Sequence, residues 1–535
     1  MNTSHASAHQ MTTEVVIVGF GPVGKLLAVQ LGRRGHSVIV VDRNEASYPL
    51  PRAVTHCSDA ARILQSVGLS PDKIPHITEP YDDMYRWRNG DDDTLLDVDW
   101  SGRGESGWYN TYFFNQPALE DALEALVARV DNVRVIRGWE ATALRQCEDR
   151  ATVAIRSAST GAEMTIDAEW VIGADGANSK VREWAGLGWH NDGYYFDWLV
   201  VDVKPSHELN FPHIAVQSCD HRRPATMVPG GPGRRRWEFM RLPHESREEL
   251  NTDAKAWELL APYGVGPGNA RLERHAVYTF KACWADRWRD GRVLVAGDAA
   301  HLMPPFAGQG LGAGMRDAMN LSWKLDAVLR GRADAGLLDT YGSERLHHAV
   351  AFVKFSTSLG QVICITDEHE AAARDERMIA DWRAGMAPPA PPRPGLGAGP
   401  HVGEAGGTLA RQGRIRMGSA EPTLFDDALG GPGAVITRTA ATLAEISPDV
   451  RSGLADLGMA SVALAGTPSA GIVVADDVDG TYRAWLDELG ADTVVIRPDF
   501  HVYGAGPADR THDLITGLLT SVSGQSVVSA HPVSR

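Results

Sequence analysis

The stretch TEVVIVGFGPVGKLLAVQLGRRGHSVIVVD, residues 13–42, decides the fold. A β-branched run from Thr13 to Val18 predicts a buried strand, a helix-like segment follows the glycines, and Ser37 to Val41 predicts a second strand. Between strand and helix, Gly19, Gly21 and Gly24 form a GxGxxG pattern. The first glycine permits a tight turn, the second lets a pyrophosphate approach the backbone, and the third lets the helix pack on the strand. The pattern predicts dinucleotide binding at a helix N-terminus.

The position of Asp42 supports this interpretation. It lies 23 residues after Gly19, at the end of the second predicted strand, where a carboxylate can bond an adenosine ribose. An acid there disfavours a ribose 2′-phosphate, so the site suits FAD or NAD better than NADP. We expect cofactor contacts from the residues of the turn and of this strand end: Gly19, Gly21, Pro22, Val23, Gly24, Asp42 and Arg43.

A second glycine-rich segment, GDAAHLMPPFAGQGLGAGMRDAMNLSWKL, spans residues 297–325. It follows the strand-like run GRVLVA, so Gly297 and Asp298 fall at a strand's carboxyl end, where Asp298 can accept hydrogen bonds from ligand hydroxyls. Pro304 and Pro305 predict a stiff loop, and the glycines that follow allow close approach of the backbone to a ligand. This segment and the first turn lie far apart in the chain, so contact of a single NAD with both is difficult to explain. One longer ligand that contacts both glycine-rich turns is the simpler explanation.

The segment resembles the second FAD fingerprint of the flavin-dependent aromatic hydroxylases, the group typified by para-hydroxybenzoate hydroxylase. The resemblance extends to GADGANSKVR, residues 173–182, which is similar to the family's DG signature, to PRA at 51–53, and to NQPALEDAL at 115–123. It implies that the further FAD-binding residues are Arg52, Gln116, Asp175, Gly297, Asp298, Pro305, Gly308, Gly310, Leu311 and Gly312. Gly312 departs from the family pattern, since Asn is frequent at that position.

The resemblance implies an activity. FAD is reduced by NADH or NADPH, O₂ adds to give a C4a-hydroperoxide, and an electron-rich ring is hydroxylated. Further stretches, among them RRRWEFMRLP at 234–243, resemble the branch that acts on 3-(3-hydroxyphenyl)propionate or 3-hydroxycinnamate, so we expect a phenolic substrate of that type. The alternative within the class is a hydroxylase of a polycyclic polyketide or antibiotic ring. A non-catalytic FAD-fold binding protein is disfavoured because all three cofactor motifs are present, and a flavin halogenase because no Gly-Trp-x-Trp-x-Ile-Pro motif occurs.

A substrate-binding antiparallel sheet is expected from residues 196–282. Alternation in RRWEFMRL, residues 235–242, places Trp237, Phe239 and Arg241 on one face and Glu238 and Met240 on the other. Our pocket candidates are Phe239, Arg241, Pro304 and Phe306, although ordinary core packing of the aromatic residues explains the pattern equally well. A phenol needs a hydrogen-bond acceptor or base. His213, His301 and several tyrosines are candidates, but the sequence does not select a catalytic residue.

The predicted fold class is α/β: a Rossmann-like FAD domain of the para-hydroxybenzoate hydroxylase type (13–195 and 283–386), the inserted β-sheet domain (196–282), and a C-terminal α/β domain (404–535). Residues 1–12 are expected to be disordered, and the proline-rich APPAPPRPGLGAGP segment predicts a linker over 387–403. The C-terminal segment resembles the thioredoxin-like domain of longer family members. Cys364 is the last cysteine, which excludes dithiol chemistry in that domain.

Composition sets further limits. The 535 residues carry a net charge of −16 without a long block of either sign, which argues against a nucleic-acid or anionic-membrane partner. Five widely spaced cysteines predict buried free thiols in a reducing cytoplasm, with neither metal site nor disulfide. We see neither a secretory signal nor a membrane span. The expected partners are a small phenol and O₂, and a homodimer is compatible with the sequence.

Overall fold

The computed structural model describes residues 9–47, 52–206, 213–388 and 390–524. The strands in these ranges are β1 His9–Val18, β2 Val38–Asp42, β3 Thr55–Cys57, β4 Thr78–Tyr81, β5 Met84–Arg88, β6 Thr94–Asp99, β7 Thr111–Phe114, β8 Val133–Arg137, β9 Trp139–Gln146, β10 Ala151–Ser157, β11 Glu163–Gly173, β12 Trp189–Pro205, β13 Ala215–Ser218, β14 Ala225–Pro229, β15 Arg235–Met240, β16 Ala270–Ala285, β17 Arg289–Asp290, β18 Val293–Val295, β19 His301–Leu302, β20 Arg414–Arg416, β21 Thr423–Leu424, β22 Ala434–Thr437, β23 Ala460–Ala463, β24 Val473–Val474, β25 Asp476–Asp477, β26 Thr493–Ile496 and β27 Val502–Gly506.

The α-helices are α1 Pro22–Arg33, α2 Ser58–Ser66, α3 Gln116–Val127, α4 Lys180–Trp184, α5 Arg247–Leu250, α6 Asp253–Leu260, α7 Gly310–Leu329, α8 Asp339–Ile363, α9 Glu368–Arg383, α10 Phe425–Leu429, α11 Ala440–Ala444, α12 Pro448–Asp456, α13 Thr481–Glu488 and α14 Thr511–Ser523. Short 3₁₀ helices span Ala261–Tyr263, Gly297–Ala299, Pro305–Ala307, Ala335–Leu338 and Ala508–Arg510.

The first large sheet carries the dinucleotide-binding motif. Its order is β17-β18-β11-β1-β2-β8, with β10 and β9 added beside β11, and β1 pairs in parallel with both β11 and β2. Helix α1 packs on this sheet and α7 packs on α1, within the largest apolar cluster of the described residues. The expectation that residues 1–12 are disordered is wrong from His9 onward, because residues 9–12 pair with 164–167 of β11. Residues 1–8 lie outside the described ranges.

The second large sheet has the order β19-β16-β12-β15-β14-β13-β5-β6. The predicted strands between 196 and 282 are all in it, but the predicted boundaries are too narrow. Strand β12 begins at Trp189 and β16 ends at Ala285, while β5 and β6 come from the segment assigned to the FAD domain. Strand β13 pairs in parallel with β5, a long-range pairing that local sequence patterns do not reveal.

The C-terminal part forms a five-stranded sheet of order β24-β23-β22-β26-β27, with parallel pairing among β22, β23 and β24 and antiparallel pairing to β26. Two further three-stranded sheets have the orders β3-β7-β4 and β21-β20-β25. The described residues of the segment predicted as a linker, 387–388 and 390–403, form neither helix nor strand. They nevertheless pack against the first part of the chain, since Gly397 N donates to the carbonyl of Glu344 and Leu396 is buried.

Buried ion pairs join the C-terminal part to the FAD-binding part. Arg497, which follows β26, donates to both carboxylate oxygens of Glu344 on α8, at 2.6 and 2.8 Å. Glu344 also receives Lys324 Nζ at 2.6 Å from α7, and all three side chains are fully buried. Burial opposes ionisation of Glu344, but Arg497 and Lys324 outweigh that effect and lower its pKa to about 2. The C-terminal sheet is therefore anchored to the helix that begins at the second glycine motif.

Two expectations from the composition, buried cysteines and no membrane span, can be compared with the structure. Cys219, Cys283 and Cys364 are buried as expected, whereas Cys147 is exposed on the turn between β9 and β10. Within the described ranges, no single helix is long and apolar enough to cross a membrane. The segments Ala335–Ile363 and Glu368–Arg383, bent by 110°, pass that length and composition test only as a pair.

Candidate active site

The first glycine turn shows why each glycine is needed. A Cβ on Gly19, whose φ is +105°, would lie 2.3 Å from the carbonyl oxygen of Ala174, and one on Gly24 would lie 2.1 Å from that of Gly19. A Cβ on Gly21 would meet nothing within 4 Å, because Gly21 borders an open cavity together with Pro22 and Val23. Helix α1 has neither a side-chain cap nor an acidic residue in its first turn. Its N–H groups are thus available to an anion.

Asp42 lies where the sequence predicts. Its carboxylate accepts hydrogen bonds from Phe20 N at 2.7 Å and from Asn44 N at 2.8 Å, which fixes it beside the glycine turn at the end of β2. Neither Asp42 nor the exposed Arg43 borders the cavity.

Asp175 has a structural task that the sequence did not indicate. Its carboxylate accepts hydrogen bonds from Ser179 Oγ at 2.5 Å, Lys180 N at 2.8 Å and Val181 N at 3.2 Å, so it caps the start of α4. Burial raises the pKa of Asp175 despite these bonds. The residues of this motif that border the cavity are its neighbours Ala174 and Gly176.

The loop that contains Gly297 and Asp298 is held in place by Asp317, which lies on α7. The Asp317 carboxylate accepts hydrogen bonds from Gly297 N at 3.0 Å and Arg345 Nε at 2.9 Å, and His301 Nε2 lies 2.8 Å away. Asp298 is exposed, and it borders the cavity with Gly297. His301, one of the candidate bases, is thereby buried against Asp317 and outside the cavity lining. The other, His213, is exposed and lies 3.6 Å from Glu79, also away from the cavity.

The loop before α7 turns the start of that helix toward the cavity. Gly308 has a φ of +63°, and a Cβ there would lie 2.6 Å from Thr55 Oγ1. Helix α7 begins at Gly310 with neither a side-chain cap nor an acid in its first turn. The residues of this segment that border the cavity are Met303, Pro305, Phe306, Gly308, Gly310, Leu311 and Gly314.

Two residues of this segment that we predicted at the site do not border the cavity. Pro304 is buried behind the loop and does not border the cavity. Gly312 lies on the side of α7 that faces Cys57 and Arg316, where an added Cβ would be 3.3 Å from Cys57 Sγ. Gly312 therefore packs toward Cys57 and does not border the cavity.

Gln116 acts on the chain around Arg52. Its Oε1 accepts hydrogen bonds from the backbone N–H groups of Arg52 at 2.8 Å and Ala53 at 2.7 Å, while its Nε2 donates to Glu120 at 2.8 Å. Gln116 and Arg52 both border the cavity, as predicted. Gln116 therefore positions the loop opposite the start of α7.

The far wall of the cavity is the second sheet, and here the predicted face is wrong. Phe239 is buried on the other side, where it packs against Tyr263, and Arg241 is paired with Asp197 at 3.0 Å. The residues that border the cavity are Arg236 and Glu238, at the alternate positions of β15. All six residues of β15 are buried, so the period of two is correct but nothing in the strand distinguishes its faces.

Polar residues of three adjacent strands form a row on this wall. Glu238 is in register with Thr226 of β14, and Thr226 is in register with Gln217 of β13. Gln217 Oε1 accepts hydrogen bonds from Thr226 Oγ1 at 2.8 Å and from the Tyr85 hydroxyl of β5 at 3.0 Å. This row is not evident from the sequence, because it depends on the register of β13, β14 and β15, and Tyr85 joins it only through the pairing of β13 with β5.

An ion-pair network supports the row. Arg236 donates to both oxygens of Asp202, at 2.7 and 3.0 Å, and to the backbone carbonyl of Arg52 at 2.7 Å. Arg274 also donates to Asp202, at 2.8 Å. Glu238 Oε1 lies 3.5 Å from Arg236 Nη1. Burial raises the pKa of Glu238, and Arg236 opposes this shift.

This arrangement fits FAD. Two uncapped helix starts, backbone at Gly21, Gly176 and Gly310, and the Asp298 carboxylate border one continuous cavity that ends at the polar row of the second sheet. Such a cavity suits a long ligand with phosphates at one end and a flat ring system at the other. No cluster of metal-binding side chains occurs in the described ranges. Fold and site thus define a dinucleotide-dependent enzyme of the flavoprotein class.

Comparison with known proteins agrees. The family model described as FAD binding domain matches residues 12–356, and the HcaD C-terminal domain matches 407–521. A probable NADH-specific resorcinol 4-hydroxylase of Rhodococcus jostii is 34% identical over 93% of this chain and 92% of its own length. The 3-(3-hydroxy-phenyl)propionate/3-hydroxycinnamic acid hydroxylase of Escherichia coli K12 is 33% identical over 91% of each chain.

Solved structures share the fold. The flavin-dependent monooxygenase PieE, in complex with FAD and substrate, is 20% identical with a TM-score of 0.78, over 97% of this chain and all of its own. Aklavinone-11 hydroxylase with FAD and aklavinone is 22% identical with a TM-score of 0.75, over 96% of this chain and 99% of its own. The chain belongs to the FAD-binding-domain family of flavin-dependent aromatic hydroxylases. It is an FAD-dependent monooxygenase, which confirms the resemblance seen in the sequence.

Proposed function

We propose that this enzyme hydroxylates a small phenol of the 3-(3-hydroxyphenyl)propionate, 3-hydroxycinnamate or resorcinol type, with O₂ and with NADH or NADPH as reductant. The observation that carries the proposal is the single cavity, which runs from the glycine turns to a wall of aromatic and polar side chains. The names of two relatives with more than nine-tenths coverage support the substrate class, and one of those names supports NADH.

Several residues of this chain have a task in that reaction. The start of α1 and Gly21 would hold the pyrophosphate, Asp42 the adenosine ribose, and Asp298 the ribityl hydroxyls. When bound, FAD supplies the redox and oxygen chemistry. The N–H groups at the start of α7 would stabilise negative charge that develops at the pyrimidine end of the ring. Met303, Phe306 and Trp100 border the inner cavity, and they would exclude water from it.

The proposal is tested with the purified protein. We expect a yellow flavin spectrum, and NADH or NADPH oxidation that a phenol stimulates, with a hydroxylated product identified by mass. The panel includes resorcinol, 3-(3-hydroxyphenyl)propionate, 3-hydroxycinnamate and a polycyclic phenol. Stimulation by the polycycle alone would favour the alternative of a polyketide or antibiotic ring. A protein that cannot be reconstituted with FAD would contradict the assignment.

The FAD site has its own test. Asp298→Ala should weaken FAD binding to the apoprotein about tenfold, the loss expected for a hydrogen bond to a charged group. Asp149→Ala is the matched control, because Asp149 is an exposed carboxylate on the β9–β10 turn. Equal FAD dissociation constants for the two variants would remove Asp298 from the site.

The remaining expectations are also proposals. We assign a thioredoxin-like fold without redox chemistry to the predicted C-terminal domain, 404–535, of which residues 525–535 lie outside the described ranges. The mixed five-stranded sheet and the absence of cysteine after Cys364 support this assignment. A packing or stabilising role for this domain agrees with the buried Arg497–Glu344 pair. A homodimer and a cytoplasmic location stay predictions, and light scattering of the purified protein tests the first.

A further inference from the structure

Glu238 is a buried carboxylate on the substrate wall. It lies on β15, is 8% exposed, and borders the cavity. In the described ranges, its one ion pair is the 3.5 Å contact with Arg236. Asp298, which we assign to FAD, is the other carboxylate that borders the cavity. At the inner end, Glu238 is therefore the charged hydrogen-bond acceptor that a substrate can reach.

The neighbouring polar groups are already engaged as donors. The hydroxyls of Thr226 and Tyr85 both donate to Gln217 Oε1, and Gln217 Nε2 donates to the carbonyl of Ala225 at 2.9 Å. Arg236 is held by Asp202 and by the backbone of Arg52. This network fixes the face of β15 on which Glu238 borders the cavity, and Arg236 is the cation paired with Glu238 there.

We propose that Glu238 accepts a hydrogen bond from the phenolic hydroxyl of the substrate and so activates the ring for hydroxylation. The inference rests on the proposed function and adds the residue that recognises the phenol. As the O–H bond lengthens toward a Glu238 oxygen, electron density on the phenolic oxygen shifts to the ortho and para carbons. The proton stays shared between the two oxygens, so no net transfer is required. The raised pKa makes Glu238 a stronger acceptor than an exposed carboxylate.

Glu238→Gln tests this role with a series of ring-fluorinated phenols of increasing acidity. For the least acidic phenol we expect kcat/KM to fall roughly 100-fold, the order found for general acid–base groups. The loss should shrink steadily as the phenol becomes more acidic, because an ionised phenol no longer needs the acceptor. Consumption of NADH without hydroxylated product should rise in the variant.

Two further variants separate this role from a structural one. Thr226→Val changes the neighbouring position of the same wall, and its effect should not depend on phenol acidity. Glu238→Asp keeps the carboxylate, so it should recover part of the lost kcat/KM. It should also restore the weak dependence of kcat/KM on phenol acidity that the unmodified enzyme shows. FAD affinity, measured for each variant, should stay unchanged, which shows that the fold is intact.

The outcomes are distinguishable. If the unmodified enzyme hydroxylates phenols and Glu238→Gln shows the same kcat/KM and acidity dependence, the assignment of Glu238 is overturned and the proposed function stands. An equal loss for every phenol would also overturn it, since it would indicate a structural role. If the unmodified enzyme hydroxylates no phenol in the panel, the proposed function itself fails.

Discussion

Arg497 of the C-terminal part and Glu344 of α8 form a buried, two-bond ion pair at 2.6 and 2.8 Å. Because Glu344 also binds Lys324 and Asn320 of α7, the C-terminal sheet is connected through Arg497 and Glu344 to the helix whose start faces the cavity. Removal of the C-terminal part would leave Glu344 without Arg497, whereas Lys324 would stay paired with Glu344.

We expect Arg497→Met to lower the free energy of unfolding by about 3 kcal/mol, because it leaves the buried carboxylates of Glu344 and Asp499 incompletely paired. The double variant Glu344→Gln with Arg497→Met should lose less than the sum of the single variants. Urea unfolding of the holoenzyme, followed by flavin release and by circular dichroism, measures both. A strictly additive double variant would show that the pair is energetically independent.

The first glycine turn offers a contrast between two similar substitutions. Gly21→Ala should fold, since a Cβ there meets nothing within 4 Å, but its methyl group should weaken FAD binding by at least about tenfold. Gly19→Ala should fail at folding, because its Cβ would lie 2.3 Å from a backbone oxygen and its φ is +105°. Circular dichroism and FAD titration of the apoproteins distinguish the two, and equal behaviour would contradict the geometry.

Gly312→Asn should lower the free energy of unfolding by about 1–3 kcal/mol, the usual cost of overpacking. The reason is the 3.3 Å separation between the added Cβ and Cys57 Sγ. Cys57→Ala in the same chain should recover most of the loss, with Cys57→Ala alone as control. Thermal unfolding measures the effect, and failure of the second substitution to compensate would place the strain at Arg316.

His36 should make stability depend on pH. Burial disfavours its charged form, but hydrogen bonds and ion pairs to Asp326 and Glu14 outweigh this and raise its pKa above the ordinary value of 6.5. The stabilisation is fully present below about pH 6.5 and is lost as the pH rises through the folded-state pKa. His36→Gln should flatten this slope, which is at most about 1.4 kcal/mol per pH unit. An unchanged slope in urea unfolding between pH 6 and 9 would contradict this.

The sequence predicted the secondary structure around the two glycine motifs well because its signals are local. Gly19 to Asp42 and Gly297 to Leu325 each contain strand, turn and helix within one segment, and the structure reproduces these elements. The function of Asp175 was less accessible, since a carboxylate at a helix start can serve either the helix or a ligand. The sequence alone does not show whether the Asp175 carboxylate caps the helix or binds a ligand.

The substrate wall was poorly predicted for a different reason. Strand β15 is buried on both sides, so hydrophobicity does not show which face meets the cavity. Arg236 and Glu238 become recognisable only when β12 and β16 supply Asp202 and Arg274. The attachment of β5, which brings Tyr85 to the wall, depends on a pairing across more than a hundred residues.

The two sides of the cavity differ in the kind of group that they present to a ligand. The side assigned to FAD includes glycine backbone and two helix starts, whereas the opposite side consists of side chains on the second sheet. Substitutions on the sheet can therefore alter which aromatic ring is accepted while the nucleotide cradle stays intact. This separation makes Thr226, Gln217 and Tyr85 the positions at which the proposed phenol specificity can be changed while Glu238 is kept.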